Sequence, residues 1–248
     1  MQAVFRMICD KGAVKLRNDF WKIEDFLQSP EKTYFYIASL FISHKMVNIT
    51  QKMVNLMGSV SIAEMFSIHT LAKRIKEPYT SVHRHVVALQ QLGAVEIQTL
   101  GRGHFIKLNL QKEITRYLLN LANYYKKQNY FKKYSILKLI SKDFPFNTPL
   151  VLFGSYAKQE ERQGSDIDLC AVGLMPKEEK EFKKSIRQIE LIHRVEINCM
   201  FFKKDHIIEM LKSKEHNVGK EILINHIALN NEDLWHNLIG SVQDDIRI

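Results

Sequence analysis

The chain has 248 residues, 46% of them apolar, and a formal charge of +9 at neutral pH. That is room for two domains, each with its own core. No apolar run reaches the roughly eighteen residues a membrane span needs, and charge interrupts the opening Met1-Gln-Ala-Val-Phe-Arg6 at once, so the expectation is a cytoplasmic protein with neither signal peptide nor membrane partner. The three cysteines, Cys9, Cys170 and Cys199, show no CxxC spacing, which argues against a disulfide framework or a zinc site. The charge is unevenly placed: Lys and Arg exceed Asp and Glu by 6 in residues 1–110 and by 6 again in 111–147, whereas residues 148–248 carry a net −3. A polyanion partner for the front of the molecule follows from that asymmetry.

In chain order, Asp10-Lys11-Gly12 sits as a turn between Val4–Ile8 and Ala13–Leu16, a hairpin pattern. Asp19 to Gln28 reads as helix, Ser29-Pro30 breaks it, and Pro30 starts another that runs to Ser43. Residues 1–48 carry no chemistry of their own and are assigned as an extension with a dimerisation role open to it. Ile49 to Met65 is helical in composition despite Gly58. Thr70 is an N-cap candidate for Leu71–Lys76, and Thr80 for Ser81–Leu92, which Gly93 ends. Two short strands follow, from Ala94 to Leu100 and from His104 to Leu110, with Gly101-Arg102-Gly103 as the tip between them.

Two helices at a tight turn followed by a hairpin with a basic tip resemble a winged helix-turn-helix over residues 49–110, the phrase Ser81-Val-His-Arg-His-Val-Val-Ala-Leu-Gln-Gln-Leu-Gly-Ala-Val95 standing where that family has its recognition helix and wing strand. The resemblance implies that the second helix enters the DNA major groove while the wing touches the backbone. Ser81, His83 and Arg84 on the helix, with Arg102 and His104 at the wing tip, are the expected DNA contacts, and Lys73, Arg74 and Lys76 add electrostatic attraction. Residues 111–142 read as a helical connector, with Ile114, Leu118, Leu121 and Tyr125 at helical spacing. No Pro-, Gly- or Ser-rich linker parts the halves, so a rigid junction is expected.

The most informative stretch is Pro149-Leu-Val-Leu-Phe-Gly-Ser155, followed after ten intervening residues by Asp166-Ile-Asp168. Leu150–Phe153 has the length and bounds of a buried strand, and the glycine after it allows backbone to approach a ligand closely. Residues two apart on a strand share a face, so Asp166 and Asp168 project together. Two such carboxylates repel unless a cation lies between them, and Mg²⁺ is the natural hard-oxygen partner, often shared with substrate phosphates. This pattern resembles the minimal nucleotidyltransferases of the DNA polymerase beta superfamily. Glu196, in Arg194-Val-Glu-Ile-Asn198, stands where that family places its third carboxylate.

The resemblance implies an α+β architecture: the N-terminal winged helix-turn-helix, the connector 111–142, and a nucleotidyltransferase mixed sheet with flanking helices over 143–248. It further implies transfer of a nucleoside monophosphate from an NTP, ATP first among them, with two Mg²⁺ ions at Asp166, Asp168 and Glu196. Gly154, Ser155, Lys158 and Ser165 are the nucleotide-binding candidates. The family usually has glycine after its basic residue, where this chain has Lys158-Gln159, and often aspartate as its third acid. Members modify small molecules, RNA ends or partner proteins, among them HEPN-type toxins. The alternative reading is a DNA-binding regulator, or an antitoxin-like protein, whose nucleotidyltransferase domain senses a nucleotide or holds a partner.

Overall fold

The computed structural model describes residues 49–246 apart from 61, 63 and 64. The hairpin and two helices expected before residue 44, and the dimerisation role of residues 1–48, lie outside the described residues. Among the described residues no helix is long and apolar enough to cross a membrane.

The first helix, α1 (Gln51–Met57), starts where the Thr50 hydroxyl accepts from Met53 N at 3.3 Å, and it stops at Gly58, well short of Met65. Strand β1 (Phe66–Ser67) leads directly into α2 (Ile68–Ile75), so Thr70 lies inside that helix rather than capping it. Lys76 ends α2 in the left-handed region, and the fixed φ of Pro78 launches α3 (Tyr79–Gln91), which leaves Thr80 one residue inside. Val82, Val86 and Leu89 recur at helical spacing and are wholly buried with Leu71. After Gly93 the chain forms β2 (Val95–Leu100) and β3 (Gly103–Leu108), antiparallel, with β1 on the other side of β3, in the order β1-β3-β2.

Helix α4 (Glu113–Lys133) is the spine of the molecule and is followed by α5 (Ser135–Lys142). Buried polar groups pin α4 near its start and at its midpoint. Thr115 Oγ1 donates to Ala94 O at 3.2 Å, and the Asn123 amide donates to Ala228 O at 2.8 Å while accepting from Ala228 N at 3.0 Å. Each such pair satisfies groups that would otherwise be costly to bury.

The second sheet is built from β4 (Leu150–Leu152), β5 (Ile167–Val172), β6 (Ile197–Phe202) and β7 (Ile227–Asn230), in the order β6-β5-β4-β7. Only the β5–β6 pair is parallel, and its crossover is α7 (Pro176–His193). Between β4 and β5 lies the short helix α6 (Gly154–Lys158); α8 (Lys204–Lys212) and α9 (Val218–Ile224) precede β7, and α10 (Glu232–Gly240) follows it. Strand β7 falls in a stretch to which the sequence reading assigns no element.

Strand alternation divides the sheet cleanly. Leu150, Leu152, Ile167, Leu169 and Ala171 pack with α5 and α7, around Phe182. Val151, Cys170 and Val172 face the other way, into a core shared by Trp235 and by Met53, Leu71 and Val86 of the front half. One apolar core therefore runs from α1 to α10 without an intervening linker.

Candidate active site

The parity that buries Ile167 and Leu169 turns Asp166 and Asp168 to the opposite face, at the N-terminal end of β5, where both are half-buried. Beside them the chain leaves β4 through Gly154, which stands at φ +68°. A Cβ at this position would fall 2.1 Å from Asp168 Oδ2, so the Asp168 carboxylate lies directly against the turn and only glycine fits there. The Gly-Ser turn and the second aspartate, thirteen positions apart in sequence, thus share one small space.

Parallel register then decides what stands on the neighbouring strand. Ile167 pairs with Ile197 and Asp168 with Asn198. The Asn198 amide donates to Asp168 Oδ1 at 3.1 Å. Glu196 lies one residue ahead of β6 and is exposed; its backbone carbonyl accepts from Ile167 N at 2.9 Å, one step earlier in the same register and so opposite Asp166. Among the described residues no three His, Cys, Asp or Glu side chains come together as a metal-holding set. The register sets Glu196 opposite Asp166 and an amide, Asn198, opposite Asp168, so the three acids do not stand as a ready-made set.

The electrostatics of Asp168 are one-sided. Burial raises its pKa above the ordinary carboxylate value, the Asn198 hydrogen bond partly offsets this, and the negative charges of Asp166 and Glu221 raise it further. Glu221, on α9, is an acid at this site that the sequence pattern does not reveal, since it lies 53 positions after Asp168 on an unrelated helix. No lysine or arginine forms an ion pair with Asp166, Asp168 or Glu196 among the described residues. Two carboxylates on one rigid strand with no lysine or arginine paired to them, and a third acid in range whose neighbour is His216 at 3.8 Å, suit a hard divalent cation, which brings its own waters and takes further oxygens from a bound phosphate.

The remaining candidates divide. Ser155 is half-buried at the start of α6, next to Gly154. Lys158 is exposed at the end of that helix. The Ser165 hydroxyl accepts from Arg162 N at 2.9 Å, which closes the turn leading to Asp166. Gln159 follows Lys158 at φ +59°, the left-handed conformation that glycine would adopt freely. Lys203 lies beyond the far end of β6, about 17 Å of strand from Asn198.

On the front half, the rings of Tyr79 and His83 stack at 5.8 Å and His83 meets His104 edge-on at 5.9 Å. These contacts bring α3 and the β2–β3 hairpin together into one face. Arg84 and Arg102 are exposed. Ser81 turns instead to the flank, where its hydroxyl contacts Glu77 and its carbonyl meets His85 Nδ1 at 2.7 Å. Arg74 is also occupied, lying 4.8 Å over the Phe66 ring and donating to Ser59 O at 3.1 Å.

The C-terminal region is thus an α+β unit whose mixed four-stranded sheet sets an Asp-x-Asp strand beside a Gly-Ser turn. Residues 133–227 match the family model described as "Nucleotidyltransferase domain". The match covers 95 of the 248 residues, under half of the chain, and supports a transferase class. No curated protein and no solved structure matches the chain.

Proposed function

We propose that the protein transfers a nucleoside monophosphate from an NTP, ATP first among them, to an acceptor hydroxyl at the Asp166–Asp168 site. The observation that carries this reading is the uncompensated charge around Asp168: neighbouring acids, an amide and the Gly154 backbone, with no basic partner. Mg²⁺ held by Asp166 and Asp168, with Glu196 as the third acid, would neutralise phosphate charge and polarise the reacting phosphorus. The turn at Gly154 lets backbone N–H groups and the Ser155 hydroxyl approach phosphate oxygens, and Lys158 supplies a positive charge at the rim. Ser165 holds the turn that delivers Asp166 to its place. The acceptor oxygen attacks the α-phosphorus, pyrophosphate leaves, and Glu196 helps activate the acceptor hydroxyl. Positioning and charge neutralisation, rather than covalent chemistry on the enzyme, carry the rate.

The front half, on this reading, is a winged helix-turn-helix that docks DNA through His83, Arg84, Arg102 and His104. Its helix–turn–helix–hairpin order and the single face shared by α3 and the hairpin support this. A second reading is favoured by Asn198. An amide in place of a carboxylate beside Asp168 suits a nucleotide sensor, or an antitoxin-like module that holds a partner such as a HEPN-type toxin, with DNA binding as the output.

Incubation of the purified protein with α-³²P-labelled NTPs, Mg²⁺ and a cell extract as the source of acceptor separates the two. Label transfer that vanishes in Asp166→Ala and Asp168→Ala supports the transferase. Tight NTP binding without transfer supports the sensor and overturns it.

A further inference from the structure

A second cavity lies away from the carboxylate pair. A cleft of about 390 Å³ opens where the loop after α1, the middle of α4 and the α9–β7 junction meet. That volume is in the range of sites that enclose small molecules. Its walls are apolar at Met57, Leu119 and Ile224, and its polar groups include Asn129, Lys126, His226 and His236. No carboxylate lines it among the described residues.

Lys126 is the charged group facing this space. Its ammonium donates to His226 O at 3.3 Å, which leaves two N–H donors uncommitted. Burial holds its pKa below the ordinary lysine range, and the charge that bears on it is another cation, Arg74, which acts in the same direction. Arg74 is anchored on the wall through Ser59 O. The two histidines commit their ring N–H groups to protein oxygens. His226 Nδ1 meets Leu223 O at 3.1 Å, and His236 Nδ1 meets Asn120 Oδ1, so both carry their proton on Nδ1. The Asn120 amide group is spoken for by Asp233, which fixes Oδ1 as the atom that accepts. A cation with apolar walls, and no acid among the described lining residues, is complementary to an anion attached to a flat apolar body.

We propose that this cleft is a binding site for a small organic anion, a carboxylate or phosphate carried on an aromatic ring, with Lys126 receiving the anionic group. The site joins the two halves of the molecule. Residues 57–60 belong to the front half, and α9 presents Leu223 and Ile224 to the cleft while its first turn carries Glu221, whose charge reaches Asp168. A bound anion would therefore bear on the same helix that shapes the field at the carboxylate pair.

Calorimetric titration of the full chain with phenyl phosphate, with indole-3-carboxylate and with the neutral indole-3-carboxamide tests the assignment. At least one anion should bind the wild type about tenfold or more tightly than the amide, in keeping with a charge-assisted contact. Which of the two binds identifies the anion's chemistry. Lys126→Met should erase that preference, and Asn129→Trp, at the exposed rim, should block the cleft without touching the core. Asp166→Ala should leave binding intact, which separates this site from the nucleotide site. The proposal fails if neither anion binds up to millimolar concentration, if the amide binds as well as the anions, if both cleft variants bind normally, or if Asp166→Ala is the variant that loses binding.

Discussion

Two faces of this molecule gather polar side chains from a helix and a strand, and they are electrostatic opposites. Around Asp168 the neighbours are acids, the groups are half-buried, and nothing basic closes the set. On the face formed by α3 and the β2–β3 hairpin the groups are imidazoles and guanidiniums at the surface, where water and salt already screen them. The difference teaches what each face requires. A cluster of like charges on a rigid strand, partly removed from water, has a standing cost that an external cation relieves. An exposed basic face has no such cost and gains from a polyanion only through the summed effect of several weak contacts.

The sharpest break in this comparison comes from the acidic side. Asp168→Ala removes a carboxylate of the proposed metal set, and a loss of transfer of about 10³-fold or more is expected, read from label incorporation under Mg²⁺. Gly154→Ala should be nearly as severe, because the new Cβ meets Asp168 Oδ2 at 2.1 Å and φ +68° disfavours any side chain. Both variants should bind duplex DNA as the wild type does; parallel loss of DNA binding in folded protein would mean that the faces are not independent.

Acid stability is the next largest effect and belongs to the seam between the halves. Burial lowers the pKa of His226 to about 4 and that of His236 to about 3, from an ordinary 6.5. Since the folded pKa values lie below the unfolded one, the unfolded chain takes up protons first. Stability is complete above pH 6.5 and is lost progressively as pH falls towards 4 and then 3. For His226 alone the loss amounts to roughly 3 kcal/mol. Urea midpoints at about pH 7 and about pH 5 should fall steeply in the wild type and less so in His236→Gln. Equal slopes would remove these imidazoles from the account.

On the basic face, Arg84→Ala and Arg102→Ala are each expected to cost about 1–2 kcal/mol of DNA affinity and to lower the slope of log affinity against log salt by about 1. Ser81→Ala should change neither, since Ser81 is turned towards Glu77. The opposite sign is expected at the carboxylates. Asp168 has a raised pKa, so its charged form costs stability as pH rises past the ordinary carboxylate range. Asp168→Asn should therefore melt higher than the wild type in EDTA, and Mg²⁺ should raise the melting temperature of the wild type alone.

The Asp-x-Asp strand, the Gly-Ser turn and the helix–hairpin order of the front half were legible in the sequence because each rests on local rules. Period-two burial aims Asp166 and Asp168 together, and glycine marks both the approach at 154 and the end of α3. What was not legible depends on partners distant in the chain. Strand β7 is four residues long, Ile-Ala-Leu-Asn, too short for periodicity to mark it, and it becomes a strand by pairing with β4. Glu196 and Asn198 are both plausible on pattern, two apart on one face; only the β5–β6 register decides that the amide stands beside Asp168. Glu221 arrives from a separate helix, and no spacing rule could have found it.

The smallest expected effect tests whether the departure at Lys158-Gln159 alters the site or only the backbone beneath it. Gln159 ends α6 at φ +59°, ψ +36°, a conformation that costs a residue with a Cβ about 1 kcal/mol and glycine almost nothing. Its backbone N–H still reaches the Ser155 and Tyr156 carbonyls, so the left-handed turn is kept by hydrogen bonds despite that cost. The Gln159 side chain also hydrogen-bonds Tyr130, whose hydroxyl donates to Ala157 O at 2.9 Å, and this contact returns part of what the backbone loses. Gln159→Gly relieves the strain but frees the unfolded chain and removes the side-chain bond, so the net change in stability should stay within about 1 kcal/mol of zero. Transfer should be equally unmoved, because the turn that meets Asp168 is Gly154, five residues earlier. A large rise in transfer on Gln159→Gly would instead mean that the glutamine side chain obstructs the nucleotide, and that this site has been dulled at its rim rather than at Asn198.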